Sequence, residues 1–154
     1  MRSVLVGLFV MMASFGPAFA ISPEAQRLID QAEQACASFE NGAFDAGDAV
    51  VPIELTSQFG TVAAELVDES RFACSSAASL YCGSGGCMIN LVVGQDVKAW
   101  QATGWRLVDW GPDRILLIGR DGGWCGGAGA EVCYEAVVWS NDRILTVVPP
   151  PETR

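Results

Sequence analysis

Trp110-Gly111-Pro112-Asp113-Arg114-Ile115-Leu116 returns, slightly altered, as Trp139-Ser140-Asn141-Asp142-Arg143-Ile144-Leu145. Both copies lie between apolar runs rich in branched and aromatic residues, the composition of strands. Each reads as strand, tight turn, strand. Gly111-Pro112 and Asn141-Asp142 carry the turn chemistry, because glycine and asparagine accept positive φ and proline fixes its own. A duplicated binding hairpin is one reading of the echo. The other is that two hairpins of one meander use the same local solution, and a single echo falls short of the three or more units that a repeat array needs.

Toward the N-terminus the β texture continues. Residues 105–110 form a strand after a bend or bulge at Thr103-Gly104, residues 98–101 precede that bend, and residues 88–93 are an apolar strand. Residues 50–55 read as an edge strand, since Pro52 has no N–H to give a central ladder. Residues 62–67 are ambiguous: alanine and glutamate favour helix, whereas the position between two loops favours strand. Residues 74–87 are small, polar and glycine-rich, and read as a loop. Ser22-Pro23-Glu24 starts a helix, with serine as N-cap, proline in the first turn and an acid beside it. Ala25, Leu28, Ile29, Ala32, Ala35, Cys36 and Phe39 then share one face, and Asn41-Gly42 ends it. The expected fold is α+β and mainly β: one N-terminal helix packed on an antiparallel meander of about five or six strands.

The first residues have another purpose. Arg2 is followed by an uncharged run, residues 4–15, of about 12 residues, where a spanning helix needs roughly 20. Gly16-Pro17 breaks it, and Ala18 and Ala20 are small residues where a signal peptidase reads them. A cleavable export signal over residues 1–20 is expected, with the mature chain starting at Ile21. Residue 21 is not cysteine, so a lipoprotein anchor is not expected. Residues 21–148 form a single domain, and the proline-rich residues 149–154 a flexible tail. The destination is the periplasm or the exterior.

That destination governs the cysteines. Cys36, Cys74, Cys82, Cys87, Cys125 and Cys133 are even in number and all follow the leader. In an exported chain they read as three disulfides. Local reach favours Cys82–Cys87 around Gly83-Ser84-Gly85-Gly86, Cys125–Cys133 around a second glycine-rich loop, and Cys36–Cys74 between the helix and the sheet. Connectivity remains open on spacing alone. The Cys-x-x-Cys of a thiol redox site is missing from this set, and zinc would need reduced thiolates.

Composition excludes whole classes of function. The chain of 154 residues has 9 Lys and Arg against 18 Asp and Glu, a formal charge of −9, and no histidine. Phosphate backbones and anionic lipid call for the opposite sign; a cationic envelope protein is the compatible partner. Without histidine there is no Ser-His-Asp or Cys-His nucleophile system and no histidine zinc site. The only lysine, Lys98, lacks the context of a phosphate-binding loop. No catalytic residue, cofactor or metal is expected. The carboxylates Asp109, Asp113, Asp121, Glu131, Glu135 and Asp142 are the raw material for a carboxylate-only glycan hydrolase. Asp45-Ala46-Gly47-Asp48 and Asp121-Gly122 have too few ligands for a calcium loop. Of the tryptophans Trp100, Trp105, Trp110, Trp124 and Trp139, four belong to strands, where an indole is usually core. Trp124 lies in the glycine-rich loop beside Cys125, where an aromatic ring is a better contact residue. It and Gly83, Ser84, Gly85 and Gly86 are the candidate contacts.

Tyr81-Cys82-Gly83-Ser84-Gly85-Gly86-Cys87, then Gly104-Trp105-Arg106-Leu107-Val108-Asp109, then the Cys125-Gly126-Gly127 loop closed by Cys133, resemble a family of small exported cysteine-rich proteins of proteobacteria. The likeness covers residues 72–148. It implies an exported folding unit and carries no activity or catalytic residue. Some members have an Asp/Gly-rich loop where this chain has Glu54-Leu55-Thr56-Ser57-Gln58-Phe59-Gly60, without those carboxylates. The functional expectation is a non-enzymatic domain that binds or shields a partner. An inhibitor of a cationic hydrolase such as lysozyme is its sharper form, and the glycan hydrolase its rival.

Overall fold

The structure is a computed structural model that describes residues 20–129 and 131–148. The expected leader, apart from Ala20, and the expected tail lie outside the described residues. The fold is α+β and mainly β, with one α-helix among the described residues, antiparallel sheets and three disulfides: Cys36–Cys74, Cys82–Cys87 and Cys125–Cys133.

Helix α1 (Pro23–Ser38) begins where Ser22 caps it, its hydroxyl accepting from the Ala25 N–H at 3.2 Å. Ala25, Ala32 and Cys36 are buried. Ala35 and Phe39 are exposed, although the periodicity put them on the buried stripe. The helix stops at Ser38, so Phe39 is its extended C-cap and leaves the helical face. Behind Ser22 stands Glu65, a buried carboxylate that accepts from the Ser22 N–H at 3.0 Å.

After the two-residue strand β1 (Phe44–Asp45), β2 (Val50–Ser57) and β3 (Gly60–Asp68) form a hairpin. A 3₁₀ turn, Glu69–Arg71, leads to β4 (Ala73–Cys74), which pairs with β1. β5 (Cys82–Gly83) turns directly into β6 (Gly86–Val93), then come β7 (Asp96–Ala102) and β8 (Gly104–Trp110). β9 (Asp113–Arg120), a 3₁₀ turn Gly122–Cys125, β10 (Cys133–Ser140) and β11 (Arg143–Val147) complete the chain.

This is more strand than expected, and it is arranged as two meanders. The first has the order β2-β3-β6-β7, with β5 beside β6. The second has the order β8-β9-β10-β11. They join at one backbone pair, Thr56 with Arg114, on the edge of β2 that Pro52 leaves open. Their inner faces share a core of Leu55, Leu66, Ile89, Leu91, Trp100, Leu116, Ile118 and Val137. α1 covers the outer face of the first meander, where Ala25 and Ala32 meet Val67, Val92 and Phe72. β3 is thus covered on both faces. That explains the ambiguity of residues 62–67: burial between two layers holds them in a strand against their helical composition. Residues 74–87, expected as loop, contain β5 and the start of β6 because Cys82 and Cys87 are a cross-strand pair.

The two echoed hairpins differ by one residue. Trp110 pairs with Asp113 around the loop Gly111-Pro112, whereas Ser140 pairs with Arg143 around Asn141-Asp142. Gly111 has φ +61°, and Asn141 and Asp142 have φ +50° and +58°. A slip of one residue exchanges the faces of a strand. Trp110 is consequently 72% exposed at a hairpin tip. Trp139 and Ile144 pack against the core.

Burial pushes the Glu69 carboxyl above its ordinary value of 4.5, opposed by a hydrogen bond from Asn90 Nδ2 at 3.0 Å. With the folded value raised, stability is full below about pH 4.5 and declines as pH rises through the folded value. Glu69→Gln keeps the acceptor for Asn90 and removes the charge. It is expected to be more stable than the parent at neutral pH and equal to it near pH 4. Urea denaturation at both pH values measures this; an unchanged difference would show that Glu69 is solvated.

Candidate functional site

Along β9 the inward phase runs Leu116, Ile118, Arg120, so a guanidinium follows two core residues. Along β10 it runs Val137, Glu135 in the opposite direction. Arg120 is 5% exposed and Glu135 7%. Arg120 Nη1 donates to Glu135 Oε2 at 2.8 Å, and Trp100 Nε1 donates to Glu135 Oε1 at 2.9 Å. Both carboxylate oxygens are therefore used, and the three side chains close one end of the core with a polar plug. Arg120 Nε is buried without a hydrogen-bond partner.

Over this plug lies Trp124, its ring centroid 4.0 Å from the Arg120 guanidinium carbon. The loop that delivers it is tightly held. Asp121 caps the 3₁₀ turn, its Oδ1 accepting from the Gly123 N–H at 3.0 Å. The Gly127 N–H donates to the Gly122 carbonyl at 2.9 Å, and Glu131 Oε2 accepts from the Ala128 N–H at 3.3 Å. Gly122 is buried, and a Cβ there would come within 1.9 Å of the Ala128 carbonyl oxygen. The Cys125–Cys133 disulfide closes the loop. Trp124 is nevertheless 64% exposed. A ring fixed on one side by a cation and open on the other is a ready platform.

The second glycine-rich loop stands opposite. Cys82 and Cys87 are bonded across β5 and β6, leaving Ser84-Gly85 as the turn. Gly86, at φ +100°, passes so close to β7 that a Cβ would lie 1.9 Å from the Ala102 carbonyl oxygen. Gln101, on β7, lies under Gly85. Ser84, Gly85, Gln101, Asp121, Trp124 and Gly129 line one open cleft of about 600 Å³. Gln101 and Trp124 also line an adjoining cavity of about 310 Å³ whose floor includes Arg120, Glu135 and Trp100.

Comparisons with family models, with curated proteins and with solved structures give no match.

The structure brings the candidate contacts Trp124, Ser84 and Gly85 to one cleft, with Gly83 and Gly86 as the strand ends that set the turn. It adds Gln101, Asp121 and the buried Arg120–Glu135 pair. The signal of that pair in the sequence was the charge on an inward phase of a strand, which demands a partner. The other carboxylates considered for hydrolysis do not line this cleft. Asp109 accepts from Arg114 Nε at 2.7 Å, and this bond and charge hold it below the ordinary carboxylate range. Asp113 ends the β8–β9 turn, Asp142 lies in the β10–β11 turn, and Glu131 braces the Trp124 loop. In the aspartate-rich loop, Asp45 Oδ1 accepts from the Gly47 N–H and Asp48 pairs with Arg71 at 2.7 Å. Among the described residues no group of three or more His, Cys, Asp or Glu is placed to hold a metal.

Proposed function

We propose that this protein is an exported, non-enzymatic binding domain whose ligand is held in the cleft between the two disulfide-closed loops. The observation that carries this reading is Trp124: an exposed indole braced on a buried, ion-paired guanidinium and delivered by a loop that glycine contacts and a disulfide hold still. A preorganised aromatic anchor loses little entropy on binding. Export is supported by the leader-like first twenty residues and by six cysteines all paired; three disulfides in a chain of this size suit an oxidising compartment.

The formal charge of −9 favours a cationic envelope partner over an anionic one. A hydrolase such as lysozyme is the sharpest case, and an inhibition titration reads it directly. The general test is capture from cell-envelope fractions by the immobilised mature chain. Trp124→Ala is expected to retain at least about tenfold less of the specific ligand, because interface energy concentrates in buried aromatic anchors. Its melting temperature should fall by only a few degrees, since one exposed cation–π contact contributes about 0.5–1 kcal/mol. Equal retention by the variant would move the binding surface away from the cleft.

A further inference from the structure

We infer that the cleft is a saccharide site, taking a neutral hydroxyl-rich ring against the open face of Trp124; this rests on the cleft being the binding surface. Three observations converge on it. First, the lining is Ser84, Gly85, Gln101, Asp121 and Gly129 around the single indole, with no aliphatic side chain among them. Within this cleft an apolar peptide side chain would find only the indole to bury against. A sugar ring instead presents a flat C–H face to the indole and hydroxyls at its edge, which a hydroxyl, a side-chain amide and a carboxylate can meet as both donors and acceptors. The two glycines leave room for a ring to approach the backbone.

Second, the floor of the adjoining cavity holds a donor in need of an acceptor. Arg120 is nine-tenths buried, its Nη1 is committed to Glu135, and its Nε has no partner. A ligand hydroxyl or ring oxygen entering beside Trp124 supplies that acceptor. Third, the charges below the platform already balance, one guanidinium against one carboxylate. A ligand anion would face Asp121 and Glu135, and a ligand cation would face Arg120. A neutral polar ligand satisfies the open donor and leaves the pair balanced.

The test uses the oxidised mature chain, titrated with neutral oligosaccharides of glucose, mannose and N-acetylglucosamine, and with glucosamine and uronic-acid oligomers as charged counterparts. Tryptophan fluorescence and the NMR signals of the Trp124 indole N–H and the Arg120 Nε–H are followed. One neutral oligosaccharide is expected to shift both signals saturably and to bind more tightly than its charged counterparts. Trp124→Ala should weaken it about tenfold or more, Trp124→Phe only slightly, and Gln101→Ala severalfold. The Phe and Gln101 variants keep the test valid if the alanine variant unfolds. No shift with any neutral oligosaccharide at millimolar concentration overturns the inference. If lysozyme or an envelope protein still binds in a Trp124-dependent way, the cleft survives as a protein-binding surface and only the ligand class falls. Saccharide binding that leaves both signals unmoved overturns the cleft itself.

Discussion

Glu135→Ala is expected to destabilise the protein by about 3–5 kcal/mol, because it strands a buried guanidinium without its counter-ion. The carboxylate is 7% exposed and meets two donors, Arg120 Nη1 and Trp100 Nε1. Removing it takes the acceptor from both at once, and a buried donor left unmade costs about 1–3 kcal/mol. For a domain of this size the melting temperature should fall by roughly 10–20 °C. The paired replacement Arg120→Met with Glu135→Leu distinguishes a stranded charge from lost packing. It removes both charges while keeping apolar volume, so it should recover most of the loss, short of the indole N–H that still lacks an acceptor. Thermal and urea denaturation of the three proteins measure this. A loss under about 1 kcal/mol for the single variant would mean that water enters the plug and that Trp124 rests on a solvated pair.

Opening the Cys36–Cys74 disulfide should have an effect of similar size. Its cysteines are 38 residues apart, against 5 and 8 for the other two. Loop-closure entropy puts its contribution at about 4 kcal/mol and that of the smallest ring at about 2 kcal/mol. The site also has little else to fall back on. α1 meets the sheet largely through Ala25 and Ala32, which bury small areas, with Leu28 and Ile29 only partly buried. Gly42 packs so closely on the two sulfurs that a Cβ there would lie 2.7 Å from each. The double variant Cys36→Ala with Cys74→Ala should therefore lose α1 before the rest. Amide exchange along Pro23–Ser38 should accelerate strongly while the β9 and β10 amides stay protected. Uniform acceleration across all strands would instead show that α1 and both meanders open as one unit.

How legible this was in the sequence depends on what each residue had to reveal. The start of α1 was plain, because Ser22 and Pro23 act on their own backbone. The hairpins were plain for the same reason, since their turns are local. The number of strands was not, because β3 takes its state from the layers on both sides of it. The echoed hairpins show the limit well. Their sequences match, but one loop opens a residue later, and that slip sends Trp110 to solvent and Trp139 to the core. Alignment of the letters could not show the register. The cleft was legible in halves. Trp124 stood out as a loop aromatic, and Gly83 to Gly86 as a glycine-rich loop that a disulfide could close. That the two loops face each other across Gln101 is a product of how β7 and β9 pack. Arg120 was recoverable from the alternation Leu116, Ile118, Arg120, had the cost of a charge on that phase been weighed.

The three disulfides have an arrangement with its own consequence. Cys36 joins Cys74, Cys82 joins Cys87, and Cys125 joins Cys133, so each bond closes before the next cysteine begins. None is nested and none crosses. In a chain that emerges from its N-terminus, each second cysteine to appear, Cys74, Cys87 and Cys133, finds its partner in the one just before it. Six cysteines allow about 15 connectivities, but an oxidant working in order of emergence makes only this one, with no wrong bond to undo. The assembly order of the molecule is written into the spacing of its sulfurs, and each wall of the cleft is tied off independently of the other.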